Sequence, residues 1–286
     1  MVDKNLFLHD LAIVAIMKNE ERYVKEWLDY HLLAGADHFY IYDNESTPEF
    51  KKILQPYIDA NIVTYIFYPG KCRQMEAYND AVQRFRFESR YLAFIDGDEF
   101  IFPKSKSTIT EVVNDILIKN TNAGGLAVNW RMFGSNNQDT ADFSRGVLER
   151  FTKRSNKLFT ASKTVADARK IRRSTNPHCA ECFSGLQVIN EKGFIVSESA
   201  CCTLSENKYL TADEIVINHY REKSFEEYKI KVSRGNADYV HNNYALENFS
   251  HDKFNDEFDD GILKYRDARR DALIGKGGGY RVSLCA

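Results

Sequence analysis

Short apolar runs alternate with amphipathic stretches through the first hundred residues, and this alternation limits the possible folds more than any other feature. Each run has the length of a strand and is followed by turn residues, which is typical of strands covered on both faces of a parallel sheet. The order strand, helix, strand therefore predicts an α/β fold with right-handed crossovers. The four predicted strands lie at 11–17, 36–42, 62–68 and 91–95.

Three polar loops follow the carboxyl ends of these predicted strands, at 18–20, 43–44 and 96–99. In a mostly parallel sheet, ligands bind at the edge where the strands end. We therefore expect a nucleotide to bind along this edge, with Asp43 accepting hydrogen bonds from a uracil N–H or a ribose hydroxyl. An Asx turn is the alternative role of Asp43.

The sequence Asp96-Gly97-Asp98 directly follows the fourth apolar run. Two carboxylates one residue apart, with a glycine that lets the backbone turn, can present oxygen ligands to Mn²⁺ or Mg²⁺. Such an ion bridges phosphate oxygens of a nucleotide and stabilises the charge of a departing diphosphate. The alternatives are an acidic turn that closes the strand and a carboxylate that caps the next helix.

The totals of the chain exclude some classes of protein. Its 286 residues carry a formal net charge of -2 and are 43% hydrophobic, which allows a sizeable core and gives no reason to expect nucleic acid. Basic residues nevertheless cluster at 145–173, where only Glu149 and Asp167 oppose them. This segment has three interpretations: a solvated surface, a clamp for a diphosphate, or a docking patch for anionic lipid headgroups.

The cysteines and the N-terminal sequence bear on location. The apolar run 11–17 is too short for a membrane span and lacks the pattern of a signal peptide. We therefore expect reduced thiols and a cytoplasmic protein of a bacterial cell, with peripheral contact with the membrane as a further hypothesis. A disulfide is an alternative if the protein is exported. A zinc site is another, although adjacent cysteines in a strand point to opposite faces. Its ligands would be Cys179, Cys182, Cys201 and Cys202.

Short motifs extend in order through most of the chain. They are Lys18-Asn19-Glu20, Glu26-Trp27, His31, Tyr42-Asp43-Asn44-Glu45-Ser46, Gln74, Asn79, Phe94-Ile95-Asp96-Gly97-Asp98-Glu99-Phe100, Trp130, Phe133-Gly134-Ser135, Glu149-Arg150-Phe151, Asn218-His219-Tyr220, Lys223-Ser224, Glu226-Glu227-Tyr228, Lys231 and Arg234-Gly235. Each motif alone is weak. As an ordered set they resemble the metal-dependent glycosyltransferases of the GT-A fold, and in particular glycosyltransferase family 92.

The resemblance implies an inverting enzyme that transfers a hexose, most often galactose, from a UDP-sugar with Mn²⁺. It implies a GT-A-type domain over 1–275, with a nucleotide-sugar half at about 1–125, an acceptor half at about 126–275, and a flexible tail at 276–286. The expected acceptor is a cell-surface glycan, such as a lipopolysaccharide or capsule precursor or another lipid-linked glycan. The alternatives are a sugar-nucleotide or carbohydrate binding module without turnover, and a nucleotidyltransferase.

The resemblance also assigns ligands for the metal and the donor. Asp96, Asp98 and His219 are similar to metal ligands of such enzymes, and a neutral imidazole at the end of an apolar strand suits Mn²⁺. The residues expected to bind the donor are Lys18, Asn19, Asp43, Gln74, Asn79, Asp96, Gly97, Asp98, Lys223 and Arg234.

Inverting transfer needs a general base that takes the proton from the acceptor hydroxyl. The resemblance implies Glu181 as the base, because it lies between the aspartate pair and His219 at roughly the spacing at which related folds carry this carboxylate, and Glu149 is its rival. Aromatic side chains on the acceptor side are expected to stack on the apolar face of a sugar ring. The predicted acceptor-binding residues are Trp130, Phe133, Gly134 and His178.

Overall fold

The computed structural model describes residues 6–196, 209–235 and 245–266. Its first four strands overlap the four predicted runs. The strands within the described residues are β1 (His9–Met17), β2 (His38–Asp43), β3 (Val63–Phe67), β4 (Ser89–Phe94), β5 (Glu99–Pro103), β6 (Ala123–Met132), β7 (Lys153–Arg154), β8 (Ser162–Asp167), β9 (Ile171–Asn176), β10 (Cys179–Cys182), β11 (Gln187–Ile189), β12 (Ile215–His219) and β13 (Glu257–Phe258).

A central sheet runs through the described structure in the order β3-β2-β1-β4-β8-β6-β12-β5, with β11 also paired to β6. The strands β3, β2, β1 and β4 are parallel neighbours. β8 runs antiparallel to β4 and β6, and β5 runs antiparallel to β12, whereas β11 and β12 are parallel to β6. The predicted α/β class with a mostly parallel sheet is confirmed.

Helices cover both faces of this sheet, as the continuous apolar sequence of β1 requires. Ile13 belongs to one buried cluster and its neighbour Val14 to another, because successive side chains of a strand point to opposite faces. The helices within the described residues are α1 (Val24–Leu33), α2 (Pro48–Asp59), α3 (Gln74–Phe85), α4 (Ile109–Lys119), α5 (Val147–Arg150) and α6 (Phe225–Arg234).

Aromatic residues of α1 fix β5, the strand that follows the acidic loop. The indole N–H of Trp27 donates to the carbonyl of Glu99 at 2.8 Å, and the hydroxyl of Tyr30 donates to the carbonyl of Ile101 at 2.8 Å. Nε2 of the buried His31 accepts from the N–H of Ile101 at 3.2 Å. Burial lowers the pKa of His31 to about 3, so the ring is neutral and can accept this bond. The C-terminal end of the acidic loop is therefore anchored to α1.

Two segments differ from their predicted secondary structure. The sequence predicts a helix capped by Asn19, but α1 begins at Val24, and the N–H of Asn19 donates to Ser46 Oγ at 2.9 Å. Residues 252–273 are predicted to be helical, yet their described part contains β13, which pairs with β7. A pairing between segments about a hundred residues apart cannot be predicted from local periodicity.

The state of Cys179 corrects one prediction. Cys179 is disulfide-bonded, so the expectation of a reduced thiol is wrong for this residue, and it is not available as a zinc ligand. Cys201, Cys202 and the predicted tail at 276–286 lie outside the described residues. No helix in the described ranges is long and apolar enough to cross a bilayer.

Candidate active site

The carboxyl ends of β1, β2 and β4 lie side by side, as the sequence predicts for the polar loops. Met17 is paired with Asp43 across β1 and β2, and the N–H of Asn44 donates to the carbonyl of Met17 at 2.8 Å. Gly97 lies so close to β1 that an added Cβ would be 3.3 Å from Met17 Cε and 3.6 Å from Glu20 Cγ. The acidic loop therefore packs closely against β1 at Gly97, whose backbone is not left-handed.

Asp96 is held by three neighbours. Gln74 Nε2 donates to Asp96 Oδ1 at 2.7 Å, and the Tyr78 hydroxyl donates to the same oxygen at 3.3 Å. Lys163 Nζ lies 2.8 Å from Asp96 Oδ2. Desolvation would raise the pKa of Asp96, but the ammonium of Lys163 outweighs it and lowers that pKa. The carboxylate is thus ionised and fixed, with 34% of the side chain exposed at the edge of the sheet.

Asp98 is more deeply placed and contacts two cationic or basic groups. Lys231 Nζ of α6 lies 2.5 Å from Asp98 Oδ2, and His219 Nε2 lies 3.4 Å from Asp98 Oδ1. Burial would raise the pKa of Asp98, but Lys231 and His219 hold it well below its usual range. The second aspartate is therefore a buried anion that faces the end of β12.

Lys163 links the acidic loop to the centre of the sheet. It is 1% exposed and lies 3.8 Å from Glu99 Oε1 in addition to its contact with Asp96. Burial would lower the pKa of Lys163, but the two carboxyl groups raise it well above its usual value. Burial raises the pKa of Glu99 well above its usual range, although Lys163 opposes the rise. Below the exposed edge of the sheet, the buried ammonium of Lys163 is thus compensated by the carboxyl groups of Asp96 and Glu99.

The residues present fit a divalent cation between Asp98 and His219. Two ligands that each lie about 2.1 Å from one ion are separated by roughly 3 Å, close to the observed 3.4 Å between Oδ1 and Nε2. Burial lowers the pKa of His219, which keeps the imidazole neutral, and carboxylate with imidazole suits Mn²⁺. The described residues do not add a third His, Cys, Asp or Glu to this group. Lys231 contacts the other oxygen of Asp98, so it must shift if an ion takes a second oxygen.

Helix α6 brings several cations to the same edge. Its N-terminus is a capping box, in which Ser224 Oγ accepts from the N–H of Glu227 at 3.3 Å while Glu227 Oε2 accepts from the N–H of Ser224 at 3.2 Å. Lys231 and Arg234 follow one turn apart on one face. Arg234 donates to the carbonyl of Lys18 at 2.8 Å and also pairs with Glu20. The helix therefore connects the loops after β1 and β4.

Lys223 precedes this helix and is 7% exposed. Its Nζ lies 4.5 Å from the centroid of the Tyr23 ring, a cation–π distance. Burial lowers the pKa of Lys223, opposed by Asp98 and Glu20. Lys223, Lys231 and Arg234 therefore form a basic group next to the acidic loop, and the phosphate contacts of Lys223 and Arg234 stay a prediction.

Three predicted donor contacts have other partners. Asp43 Oδ2 accepts from the Tyr65 hydroxyl at 2.6 Å, and Oδ1 accepts from the N–H of Ser46 at 2.9 Å, three residues on instead of the two of an Asx turn. Asn79 holds β9, because it exchanges hydrogen bonds of 2.8 and 3.2 Å with the backbone of Ser174. Lys18 lies 3.9 Å from Glu45 at the surface.

The acceptor residues divide into two groups. Trp130 and His178 belong to the site, because the Trp130 ring lies 4.4 Å from the His219 ring and 5.0 Å from the His178 ring. The prediction for Phe133 is wrong, since this side chain is fully buried in the main core and unavailable for stacking on a sugar. Gly134 is not an open loop entrance either, because a Cβ there would lie 2.3 Å from Asn255 Oδ1.

Both predicted bases are engaged in surface ion pairs. Glu181 lies on β10 and contacts Arg172 at 3.1 Å and Arg173 at 2.6 Å. Glu149 contacts Arg145 at 3.1 Å and Arg266 at 3.6 Å. Within the part of the chain that the structure describes, no hydrogen bond or ion pair joins either glutamate to the acidic loop. The structure does not bring these carboxylates together with Asp98 and His219.

The basic segment 145–173 is not one continuous patch. Most of its cations pair with carboxylates of the chain, some buried and some at the surface, and Lys170 Nζ donates to the carbonyl of Ala123 at 3.0 Å. The pairs are Arg145 with Glu149, Arg150 with Glu227, Arg154 with Asp259, Lys163 with Asp96 and Arg169 with Asp167. Arg172 and Arg173 are the strongly exposed members of the segment's last strand, and both contact Glu181.

The sequence does not predict Lys163 and Lys231 as site residues, and each had a detectable signal. Lys163 is a single cation in a strand whose six residues are all buried, which requires an internal partner. Lys231 lies three residues before Arg234 in a helix, so the two side chains share a face. Neither signal identifies the partner.

Comparisons with known proteins agree on a family. The sequence model of glycosyltransferase family 92 matches residues 14–259. A glycosyltransferase family 92 protein of Ricinus communis is 26% identical over 236 residues, which cover 81% of this chain and 39% of that protein. A galactan beta-1,4-galactosyltransferase of Arabidopsis thaliana is 31% identical over 100 residues, which cover 32% of this chain and 19% of that protein. The chain thus spans about two fifths of the length of the relatives that match most of it, and these relatives are plant proteins.

Solved structures resemble the chain only distantly. TarS of S. aureus is 15% identical with a TM-score of 0.39, and the match covers 56% of this chain and 47% of that chain. Glucosyl-3-phosphoglycerate synthase of Mycobacterium tuberculosis, in complex with Mn²⁺, UDP and glucosyl-3-phosphoglycerate, is 16% identical with a TM-score of 0.31, and the match covers 43% of this chain and 44% of that chain. These scores are too low to support an inference.

Proposed function

The chain belongs to glycosyltransferase family 92, and from this premise we propose that it transfers galactose from UDP-galactose to a cell-surface glycan with inversion. The observation that carries the proposal is the buried pair of Asp98 and His219, 3.4 Å apart beside a group of cations at the carboxyl edge of the sheet. Galactose is the favoured sugar because several relatives are named as galactan beta-1,4-galactosyltransferases. For the same reason a β-linked galactan is the first acceptor to test.

Each part of the edge has a task in this proposal. Asp98 and His219 would hold a Mn²⁺ ion, which supplies positive charge for the diphosphate when it is bound. Lys223, Lys231 and Arg234 lie next to the acidic loop and would neutralise phosphate oxygens, for which Lys231 and Arg234 exchange their contacts with Asp98 and Glu20. Asp96 is fixed by Gln74 and Lys163, so its partly exposed carboxylate has a defined orientation for the donor. These parts together favour departure of UDP.

A binding module without turnover is the second candidate. The observation in its favour is that Glu181 and Glu149 are both engaged in surface ion pairs, so the predicted base is not delivered to the site. Such a module would bind UDP or its sugar at the same edge and release it unchanged. Turnover separates the two functions.

We expect the purified chain with Mn²⁺ to transfer labelled galactose from UDP-galactose to β-1,4-linked galactan oligosaccharides. The product is measured by mass spectrometry and by NMR of the new anomeric proton. Chelation of the metal should reduce transfer by at least about 100-fold, because charge stabilisation of the leaving diphosphate is lost. Parallel reactions with UDP-glucose and with lipid-linked acceptors test the choice of sugar and acceptor. Binding of UDP-galactose without transfer or hydrolysis would instead support the binding module.

Peripheral contact with an anionic membrane remains a proposal, now based on Arg172 and Arg173, which are 66% and 64% exposed in their side chains. Each basic residue near an anionic surface contributes about 1 kcal/mol, so reversing both charges should weaken binding by at least about tenfold. The measurement is co-sedimentation of the wild type and of the Arg172→Glu/Arg173→Glu variant with phosphatidylserine vesicles. Equal binding of the two proteins would contradict membrane contact through β9.

A further inference from the structure

His178 lies beside the metal-ligand candidates, and one of its ring nitrogens has no hydrogen-bond partner among the described residues. Its ring packs edge-on against Trp130 at 5.0 Å, and Trp130 in turn packs against His219 at 4.4 Å. Its electrostatic neighbours are Lys163, Asp96 and His219, which are the groups around the acidic loop. The imidazole therefore belongs to the same site as Asp96 and His219.

The tautomer of His178 follows from one hydrogen bond. Nδ1 lies 2.8 Å from the carbonyl oxygen of Ser162, and because a carbonyl only accepts, Nδ1 carries the proton. In a neutral ring the lone pair is then on Nε2. Burial, helped by the positive charge of Lys163, lowers the pKa of His178 to about 4, so the ring is neutral near pH 7. Among the described residues no hydrogen bond to Nε2 is present.

The backbone around His178 is fixed on both sides of the residue. Asn176 Oδ1 accepts from the N–H of His178 at 2.8 Å and from that of Cys179 at 3.0 Å. Thr164 Oγ1 donates to the carbonyl of His178 at 2.8 Å. The next residue, Cys179, is disulfide-bonded. A side chain held in this way keeps its orientation without the help of a ligand, which is what proton transfer requires.

We propose that His178 is the catalytic base of the transfer, an inference that rests on the proposed function. Nε2 accepts the proton of the acceptor hydroxyl while the acceptor oxygen forms a bond to the anomeric carbon of the donor sugar. The bond between that carbon and the β-phosphate oxygen breaks, and its electron pair leaves with UDP. The imidazolium then returns its proton to solvent. This role replaces that of Glu181 on β10, whose carboxylate is held by two arginines of β9.

The test compares His178→Gln, His178→Ala and Glu181→Gln with the wild type. Glutamine can still bind the acceptor hydroxyl but cannot take its proton, so kcat should fall by about 10²–10⁴-fold while UDP binding in the presence of Mn²⁺ is retained. Added imidazole should restore transfer to His178→Ala, because the carbonyl of Ser162 and the face of Trp130 remain to bind it. Glu181→Gln should keep kcat within about threefold of the wild type.

His251→Gln is the matched control, since this histidine is 46% exposed and pairs with Asp139 at the surface. A kcat of His178→Gln within threefold of the wild type overturns the inference, and so does the absence of imidazole rescue in His178→Ala. A large fall in the kcat of Glu181→Gln also overturns the inference and assigns the role of catalytic base to Glu181. A wild type that neither transfers nor hydrolyses any UDP-hexose is a different result, because it refutes the proposed function itself.

Discussion

Asp98→Asn should abolish the metal-dependent stabilisation of the protein by UDP and reduce transfer by at least about 100-fold. The substitution keeps the size of the side chain but removes the charge that Lys231 and His219 contact. A ligand at 100 times its dissociation constant adds about 2.7 kcal/mol to the free energy of unfolding. We therefore expect the wild type to show a thermal shift with UDP plus Mn²⁺ that exceeds the shift with UDP alone, and the variant to show no such difference.

The comparison must be made within each protein, because Asp98→Asn leaves Lys231 without its ion-pair partner and changes the melting temperature before any ligand is added. Asp139→Asn is the matched control, since its side chain is 72% exposed and pairs with His251 at the surface. An Asp98→Asn variant that keeps the full additional shift with Mn²⁺ would contradict metal binding at this carboxylate. Loss of the Mn²⁺ effect in both variants would point to unfolding during the assay instead.

The features that were predictable from the sequence are those that depend on neighbouring residues. The apolar runs gave β1 to β4, because a strand buried on both faces needs apolar residues at every position. Asp98 was identifiable because it follows one such run. His219 was identifiable because it ends another, and parallel strands deliver their last residues to one edge.

The features that were not predictable depend on partners far away in the chain. Lys231 is 133 residues from Asp98, and Lys163 is 67 residues from Asp96. A count of basic residues suggested a patch at 145–173, but a count cannot show that Lys163 and Arg150 are buried beside carboxylates. The same limit explains Phe133, whose sequence neighbours suggested a loop but whose side chain faces the core.

Arg150→Met should lower the free energy of unfolding by about 3–5 kcal/mol, the effect of removing one partner from a buried ion pair. Arg150 donates two hydrogen bonds of 2.8 Å to Glu227, and both side chains are 1% exposed. Methionine leaves the carboxylate of Glu227 with hydrogen bonds from Tyr23 and Ser224 within the described residues. Urea denaturation of the two proteins measures the difference. Arg145→Met is the control, because its exposed pair with Glu149 should contribute less than about 1 kcal/mol.

The pH dependence of this difference identifies its cause. Burial would raise the pKa of Glu227, but the hydrogen bonds from Arg150 and Ser224 hold it at about 2, against an ordinary value of 4.5. A lowered folded-state pKa stabilises the protein fully above pH 4.5, and that contribution is lost as the pH falls from 4.5 towards 2. Without Arg150 the carboxyl group takes up a proton more easily, so the variant loses less stability over this range. The difference in the free energy of unfolding between the wild type and Arg150→Met should therefore be largest near pH 7 and should become smaller below pH 4.5. A gap that is constant with pH would show that Arg150 acts through packing against Phe151 and its other neighbours, and not through the charge of Glu227.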